Sequence, residues 1–164
     1  MRTVIWFMVV FVLAGCATPL PPQNAENNRY FLSLTPESLG RNLVLSHLVT
    51  GKYGGKTYRA RYEIDVVGDR LTIVGLSPLG ITLFTLVQQG ESVSVDSRLG
   101  GAPAFDPRYT LFDLYLTYWP ENVLGPALEM NGMTLEINAG GKTRTVRDAG
   151  GRLVATVMFP SGAT

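Results

Sequence analysis

YRARYEIDV, residues 58–66, alternates apolar and polar side chains at every position. Starting from Tyr58, every second residue is tyrosine, alanine, isoleucine or valine, and those between are arginine, glutamate or aspartate. Because successive side chains of a strand point to opposite faces, this pattern predicts a strand with one buried and one solvated face. Such strands are typical of an antiparallel sheet that covers a core on one side.

Seven further segments predict strands that continue this sheet as a meander of about eight strands. Gly68 and Asp69 form a turn after the first segment, and glycine pairs at 140–141 and 150–151 suit tight hairpins. The strand at 81–87 is apolar on both faces, so we expect it to be covered twice. The other predicted strands are 43–49, 71–76, 91–97, 133–137, 142–147 and 153–159.

A helical insertion is predicted between the fifth and sixth strands. Asp106 can cap a helix that has Pro107 in its first turn, and Trp119, which precedes Pro120, is disfavoured in the helical region. The aromatic run at 109–119 leaves a strand as an alternative. We expect a mainly β fold of the α+β type, with a helical flap at about residues 107–129 lying on the sheet.

An apolar flap on an apolar sheet face predicts a hydrophobic pocket between them. Aromatic residues in such a flap more often pack an ordinary core, and even in a protein with a pocket most of them would pack the flap. The candidates for the pocket walls come from the fourth strand and from the flap: Leu83, Phe84, Leu86, Leu111, Phe112, Tyr115 and Trp119.

The first 28 residues differ in composition from the rest of the chain. A basic start, an apolar run at 4–13 and small residues before Cys16 predict a signal peptide at 1–15, since the run is too short to span a bilayer. The proline-rich and amide-rich stretch at 16–28 predicts a flexible tether. The remaining residues, 29–164, have the length of one domain.

Charge and residue types argue against several function classes. Cleavage of the predicted signal peptide would remove Arg2, so that the 14 lysines and arginines become 13 and equal the 13 acidic residues. This balance argues against nucleic-acid binding. Cys16 has no partner for an internal disulfide, and with one histidine it cannot build a conventional zinc site. The sequence contains no nucleophile elbow, phosphate-binding loop or dinucleotide fingerprint. We therefore expect a protein that is not an enzyme and uses no metal or cofactor.

Several polar residues within apolar surroundings have two interpretations. His47 is the single histidine, and a structural role is expected because its neighbour Ser46 points to the opposite face of the strand. Asp113 lies inside the apolar run, so we expect its carboxylate to contact backbone or an arginine such as Arg108. The arginines of the 58–66 stretch form either a solvated face or the rim of a lipid headgroup site.

Leu13-Ala14-Gly15-Cys16 resembles the lipobox of bacterial lipoproteins. The resemblance implies cleavage before Cys16 and acylation of its thiol and new amine, and several acyl chains give stable anchoring. Ala17 stands where an aspartate would resemble the inner-membrane retention signal. The expected location is therefore the periplasmic face of a Gram-negative outer membrane, with the membrane as a partner.

Two further segments resemble known lipoprotein families. Pro78-Leu79-Gly80 between two strands, together with the helical insertion, resembles the LolA/LolB superfamily, which includes the outer-membrane lipoprotein receptor LolB. FDLYLTYWP, residues 112–120, resembles more closely the signature of an uncharacterised bacterial lipoprotein family, domain of unknown function 3261, which is similar to LolB. The resemblance implies an unclosed half-barrel, a curved antiparallel sheet wrapped around helices with a cavity for acyl chains. It makes Leu79 a candidate for receiving cargo. The chain departs from the resemblance after Phe159, where a further hairpin is expected, so we expect a short sheet or an uncovered last edge.

Three functions of different classes follow from these expectations. The first is a monomeric lipoprotein that binds an acyl chain or lipid between sheet and flap, or a polyene-type ligand, which the association of the resembled family with aryl polyene pathways implies. Its expected role is in lipoprotein or lipid localisation, with a periplasmic carrier protein as partner. The second is a structural or assembly accessory lipoprotein that recruits a protein partner without a ligand cavity. The third, a lipid hydrolase or transferase, requires a base within reach of a nucleophile.

Overall fold

The computed structural model describes residues 30–53, 55–97, 106–138 and 140–159. The predicted signal peptide at 1–15, the tether at 16–28 and the lipidation site Cys16 lie outside these residues. The described part contains a 3-10 helix, two α-helices and eight strands. In chain order they are the 3-10 helix Pro36–Leu39, β1 Leu43–Tyr53, β2 Lys56–Val67, β3 Arg70–Leu76, β4 Thr82–Gln89, β5 Ser92–Ser97, α1 Tyr109–Tyr118, α2 Glu121–Met130, β6 Met133–Ile137, β7 Thr143–Asp148 and β8 Leu153–Met158.

The eight described strands form two antiparallel sheets and no closed barrel. β1 to β5 pair in sequence order in the first sheet, and β6 to β8 pair in sequence order in the second. The mainly β architecture and the eight predicted strands are confirmed. The expectation of one continuous meander was wrong, because the two helices stand between β5 and β6 and these strands do not pair.

The helical flap is confirmed, and the strand alternative for residues 109–119 was wrong. Asp106 Oδ1 accepts a hydrogen bond from the Arg108 backbone N–H at 2.9 Å, and the helix α1 begins one residue later at Tyr109. Trp119 is extended, with φ −72° and ψ 145°, as expected for a residue that precedes proline. Pro120 then leads into α2.

The core lies between the five-stranded sheet and the helices. One face of this sheet buries the alternate residues Ile64, Val66, Leu71, Ile73 and Leu86, none of them more than 4% exposed. The helices contribute Leu111, Phe112, Leu114, Tyr115, Leu116, Leu124 and Leu128 to the same cluster. Residues ahead of β1, including Leu32, Leu34 and Leu39, complete it, although the sequence did not indicate a core role for them.

Strand β4 is fully covered on one face only. Phe84 and Leu86 are buried, whereas Leu83 and Val87 are half-buried and Ile81, just before the strand, is 63% exposed. The expectation that this strand is covered twice was therefore wrong. Its second apolar face is only partly covered, while β3 and β5 pair with β4 at its two edges.

Candidate functional site

A cavity of about 270 Å³ opens beside the first turns of α1. We call it the flap cavity, since one wall belongs to the helical flap and another to the end of the sheet where β4 passes into β5. The segment ahead of β1 forms the third wall. The lining residues are Tyr30, Phe31, Leu32, Ser33, Gln88, Glu91, Val93, Arg108, Leu111 and Tyr115.

The floor of the flap cavity is a buried hydrogen-bond network. Tyr115 Oη donates to Gln88 Oε1 at 2.7 Å, and Gln88 Nε2 donates to the backbone oxygens of Leu34 and Gly90. Gln88 is 1% exposed and Tyr115 is 2% exposed, so these bonds replace lost water contacts. Burial raises the pKa of the Tyr115 phenol, which therefore remains a hydrogen-bond donor. The network ties the segment ahead of β1 to the sheet and to α1.

The rim of the flap cavity carries a neutralised cation. Arg108 Nε lies 2.9 Å and 3.0 Å from the two carboxylate oxygens of Asp106, and the guanidinium stacks 4.4 Å above the centre of the Phe31 ring. Although partial burial raises the pKa of Asp106, hydrogen bonds and charge attraction from Arg108 outweigh it and hold that pKa below 3.8. The exposed Glu91 also lines the opening, so the rim offers no uncompensated positive charge.

The structure divides the seven predicted pocket residues into two groups. Leu111 and Tyr115 line the flap cavity. Phe84, Leu86, Phe112 and Trp119 are buried in the core, and Leu83 is half-buried on the face of β4 opposite Phe84. The space between sheet and flap is therefore mostly filled by side chains, and the cavity lies at one end of it.

Trp119 has a structural partner that the sequence did not indicate. Its indole Nε1 donates to the Ser38 hydroxyl at 2.8 Å, and its ring packs edge-on against Tyr115, with ring centres 4.7 Å apart. Trp119 is completely buried. It links the end of α1 to the 3-10 helix, and this long-range contact has no local sequence signal.

Leu79, the predicted cargo residue, lies on the turn between β3 and β4 and is 87% exposed. The Ser77 hydroxyl accepts hydrogen bonds from the backbone N–H groups of Leu79 (3.3 Å) and Ile81 (3.1 Å). Gly80 has a positive φ of 80°, which favours glycine at this position. The turn therefore holds the leucine side chain out in solvent, where its role in receiving cargo stays a prediction.

The two residues considered as a nucleophile and base lie on opposite faces of β1. Ser46 Oγ donates to Glu63 at 3.0 Å on the solvated face. His47 Nε2 lies 2.8 Å from the Tyr118 hydroxyl on the other face. The pair consequently does not form a Ser–His catalytic arrangement, while the His47 contact to α1 agrees with a structural role.

The contact that was expected for Asp113 was wrong. The Arg108 guanidinium forms an ion pair with Asp106, and Asp113 is solvent-exposed rather than buried. Partial desolvation by neighbouring groups still raises the pKa of Asp113, and its charge adds to burial in raising the pKa of Tyr62 on β2.

The described residues contain neither a membrane-crossing helix nor a cluster of metal-binding side chains. No helix in residues 30–53, 55–97, 106–138 or 140–159 has the length and apolar character needed to cross a membrane. Within the same ranges, no group of three or more histidine, cysteine, aspartate or glutamate side chains lies close enough to hold a metal ion.

Sequence reasoning missed the segment ahead of β1 and Gln88 as parts of the site. A glutamine inside an otherwise apolar strand was the one available signal, because a buried amide requires partners. Its partners are 54 residues away at Leu34 and 27 residues away at Tyr115, beyond the range of local patterns.

Comparisons with known proteins place the chain in one family. No curated protein and no solved structure shows a significant match to it. A family model does match, over residues 44–163, from β1 through the last strand, and its description is "Protein of unknown function (DUF3261)". The chain therefore belongs to the DUF3261 family, which agrees with the resemblance of the 112–120 segment.

Proposed function

We propose that the protein is a non-catalytic lipoprotein of the Gram-negative outer membrane that binds an acyl chain, lipid or polyene-type ligand at its periplasmic face. The flap cavity is the observation that carries this proposal, because it is a preformed opening between sheet and flap. Burial of apolar ligand surface there would contribute about 25 cal/mol per Å². The membrane, a hydrophobic small molecule and a periplasmic carrier protein are the proposed partners of a monomeric chain.

The size of the flap cavity restricts what it can hold. At roughly 30 Å³ for each water-sized group, about 270 Å³ accommodates about nine such groups. We infer that a segment of an acyl or polyene chain enters, while the remainder of the ligand extends past the rim. The Arg108–Asp106 pair leaves little attraction for an anionic headgroup at this opening.

The finer fold assignment is part of the same proposal. A five-stranded antiparallel sheet with helices packed on one face is compatible with the LolA/LolB-like half-barrel that the Pro78-Leu79-Gly80 turn suggested. In that interpretation, exposed Leu79 receives cargo and Cys16 anchors the chain. Changing Cys16 to serine should move the protein out of the membrane fraction, and its retention there as an integral protein would contradict the lipoprotein proposal.

The decisive experiment measures binding of parinaric acid, a fluorescent polyene fatty acid, to the chain from Arg29 onward. Val93 lines the flap cavity and Val95 does not, yet both face the same side of β5 and both are 38% exposed. Val93→Trp should fill the cavity and weaken binding at least about tenfold, which corresponds to about 1.4 kcal/mol. Val95→Trp is the matched control and should bind as tightly as the unchanged chain.

Two outcomes would reject the cavity as the binding site. One is absence of parinaric acid binding by a chain that unfolds cooperatively, and the other is equal loss of affinity in both tryptophan variants. Cooperative urea unfolding of each variant shows that the comparison concerns folded protein.

A second function is supported by a separate observation. Most of the predicted pocket residues are packed into the core, and β1, which pairs with β2 alone among the described strands, leaves one edge open. These features suit an accessory lipoprotein that recruits a protein by strand addition. A chain without parinaric acid binding that forms cross-links from Thr50 of β1 to an envelope protein would favour this alternative.

A further inference from the structure

The β1–β2 hairpin extends beyond the five-stranded sheet. β2 pairs with β3 as far as Arg61 opposite Leu76, whereas β1 and β2 continue to pair as far as Tyr53 opposite Lys56. Residues 49–53 and 55–60, which we call the ribbon, thus form five strand pairs, and no third strand of the described part of the chain lies beside them. At about 3.4 Å per residue the ribbon projects roughly 17 Å.

The ribbon carries positive charge only. Lys52, Lys56 and Arg59 are exposed, and residues 49–60 contain no aspartate or glutamate. No carboxylate in the described residues forms an ion pair with any of these three side chains. The next arginine, Arg61, differs in that it pairs with Glu63 at 2.9 Å. The ribbon is therefore an uncompensated cationic projection on a chain whose acidic and basic residues otherwise nearly balance.

Apolar side chains project into solvent at the base of the ribbon. Leu48 is 89% exposed where β1 leaves the sheet, and Ile81 on the neighbouring β3–β4 turn is 63% exposed, close in sequence to the exposed Leu79. Between ribbon and turn lies a groove of about 520 Å³, whose lining includes Leu48, Arg59 and Pro78. Cations and isolated apolar groups therefore share one end of the molecule.

We infer that this end docks on the surface of an anionic lipid bilayer. Lysine and arginine near such a surface are attracted to its headgroups, and their aliphatic stems can lie along apolar material while the charges stay in water. Leu48 and Ile81 stand on separate elements and project singly, which suits insertion between lipids better than a flat contact with an acidic protein. The flap cavity lies at the other end of the sheet, where β4 passes into β5, so the docking does not depend on it.

The test locates the ribbon relative to lipid by fluorescence quenching. The full chain in a C16S background carries T57C on the ribbon as its unique thiol, labelled with bimane. It is mixed with vesicles containing nitroxide-labelled lipid, either of phosphatidylcholine alone or with added phosphatidylglycerol. The label should be quenched on anionic vesicles and not on neutral ones. A label at D69C, on the β2–β3 turn at the other end of the sheet, is the positional control and should stay unquenched.

Charge variants test the physical cause of docking. Each cation near an anionic surface contributes roughly fivefold to the docking equilibrium, so K52Q/K56Q/R59Q should weaken docking by about 100-fold. Salt at about 1 M should weaken docking to a similar extent, because it shortens the Debye length to about 3 Å. K52R/K56R keeps the charges and should retain quenching. All these side chains are exposed, and circular dichroism of each variant checks folding.

Four results would overturn the inference. They are equal quenching of T57C on neutral vesicles, quenching that survives K52Q/K56Q/R59Q, equal quenching at D69C, and a T57C label that stays unquenched on anionic vesicles. The last result would show that the ribbon does not dock on lipid and would leave its cations for a protein partner.

Discussion

The two sheets of this protein are held to the helices in different ways. The five-stranded sheet buries a continuous apolar face, of which Ile64, Ile73 and Leu86 are at most 4% exposed. The three-stranded sheet contributes two fully buried apolar side chains, Met133 and Val146, together with half-buried ones. The first sheet is therefore stabilised mainly by apolar burial, and the second depends more on individual polar contacts.

Arg144 of β7 is the principal polar contact of the smaller sheet. Its guanidinium donates to the backbone oxygens of Leu116 at 2.8 Å and Trp119 at 3.0 Å, at the end of α1. Helix C-termini leave carbonyl groups without partners and carry partial negative charge, so the half-buried Arg144 cation is favourable there. The second sheet thus caps the flap helix that the first sheet covers.

The largest expected effect comes from the buried face of the first sheet. Phe84→Ala removes a ring that is 2% exposed and should lower the free energy of unfolding by about 3–5 kcal/mol, through lost burial and a residual cavity. Leu135→Ala, at a half-buried position of β6, should cost about 1 kcal/mol. Urea unfolding measures both. Equal costs would show that the two sheets do not differ as described.

A backbone position should be nearly as sensitive. A Cβ atom added at Gly75 would lie 2.3 Å from the Phe84 ring, so Gly75→Ala should destabilise the fold by about 1–3 kcal/mol. The cost should shrink in the double variant with Phe84→Leu, because the clashing ring is gone. Gly51→Ala on β1, with no atom within 4 Å of its added Cβ, is the control and should change stability little. Additive costs in the double variant would contradict the predicted clash.

An intermediate effect is expected for the cap of α1. Arg144→Met keeps much of the side-chain volume but leaves the Leu116 and Trp119 carbonyls without their donor, at a cost of about 1–3 kcal/mol in unfolding free energy. Arg147→Met on the same strand removes an exposed ion pair to Glu136 and an exposed hydrogen bond to the Gly151 carbonyl, and should cost less than about 1 kcal/mol. If the two substitutions cost the same, polar capping does not hold the smaller sheet.

The smallest effect is a pH dependence in the turn between β7 and β8. Hydrogen bonds from the Arg152 backbone first, then its side chain and the Gly150 backbone, hold the pKa of Asp148 below 3.8. A folded pKa below the unfolded one stabilises the protein above about pH 4, and this stabilisation is lost as pH falls through the folded pKa. The stability difference between the unchanged chain and D148N should therefore narrow from about pH 6 to about pH 3 in urea unfolding. D69N at an exposed turn is the control, and a D148N difference that stays constant with pH would contradict the prediction.

The positions of the elements were largely predictable. All eight strands and both helices lie where alternation, turn glycines and the Trp119-Pro120 break placed them, with ends that differ by a few residues. The division of the strands into two sheets was less predictable, because alternation within a strand does not show whether β5 pairs with β6. Local sequence patterns also could not predict whether the cavity is open. Aromatic residues such as Phe112 and Trp119 give the same pattern whether they pack in a core or line a pocket.

Short-range patterns thus specified the strands, the flap and the motifs that indicated the family, because side-chain direction and turn geometry depend on neighbouring residues. Contacts between distant residues specified the split into two sheets, the Gln88–Tyr115 network, the Arg144 cap and the flap cavity. Their energies depend on which segments meet in space, and packing can be evaluated only when both partners are in place. The sequence therefore predicted the parts of the fold, and folding brought together the site that the proposed ligand would occupy.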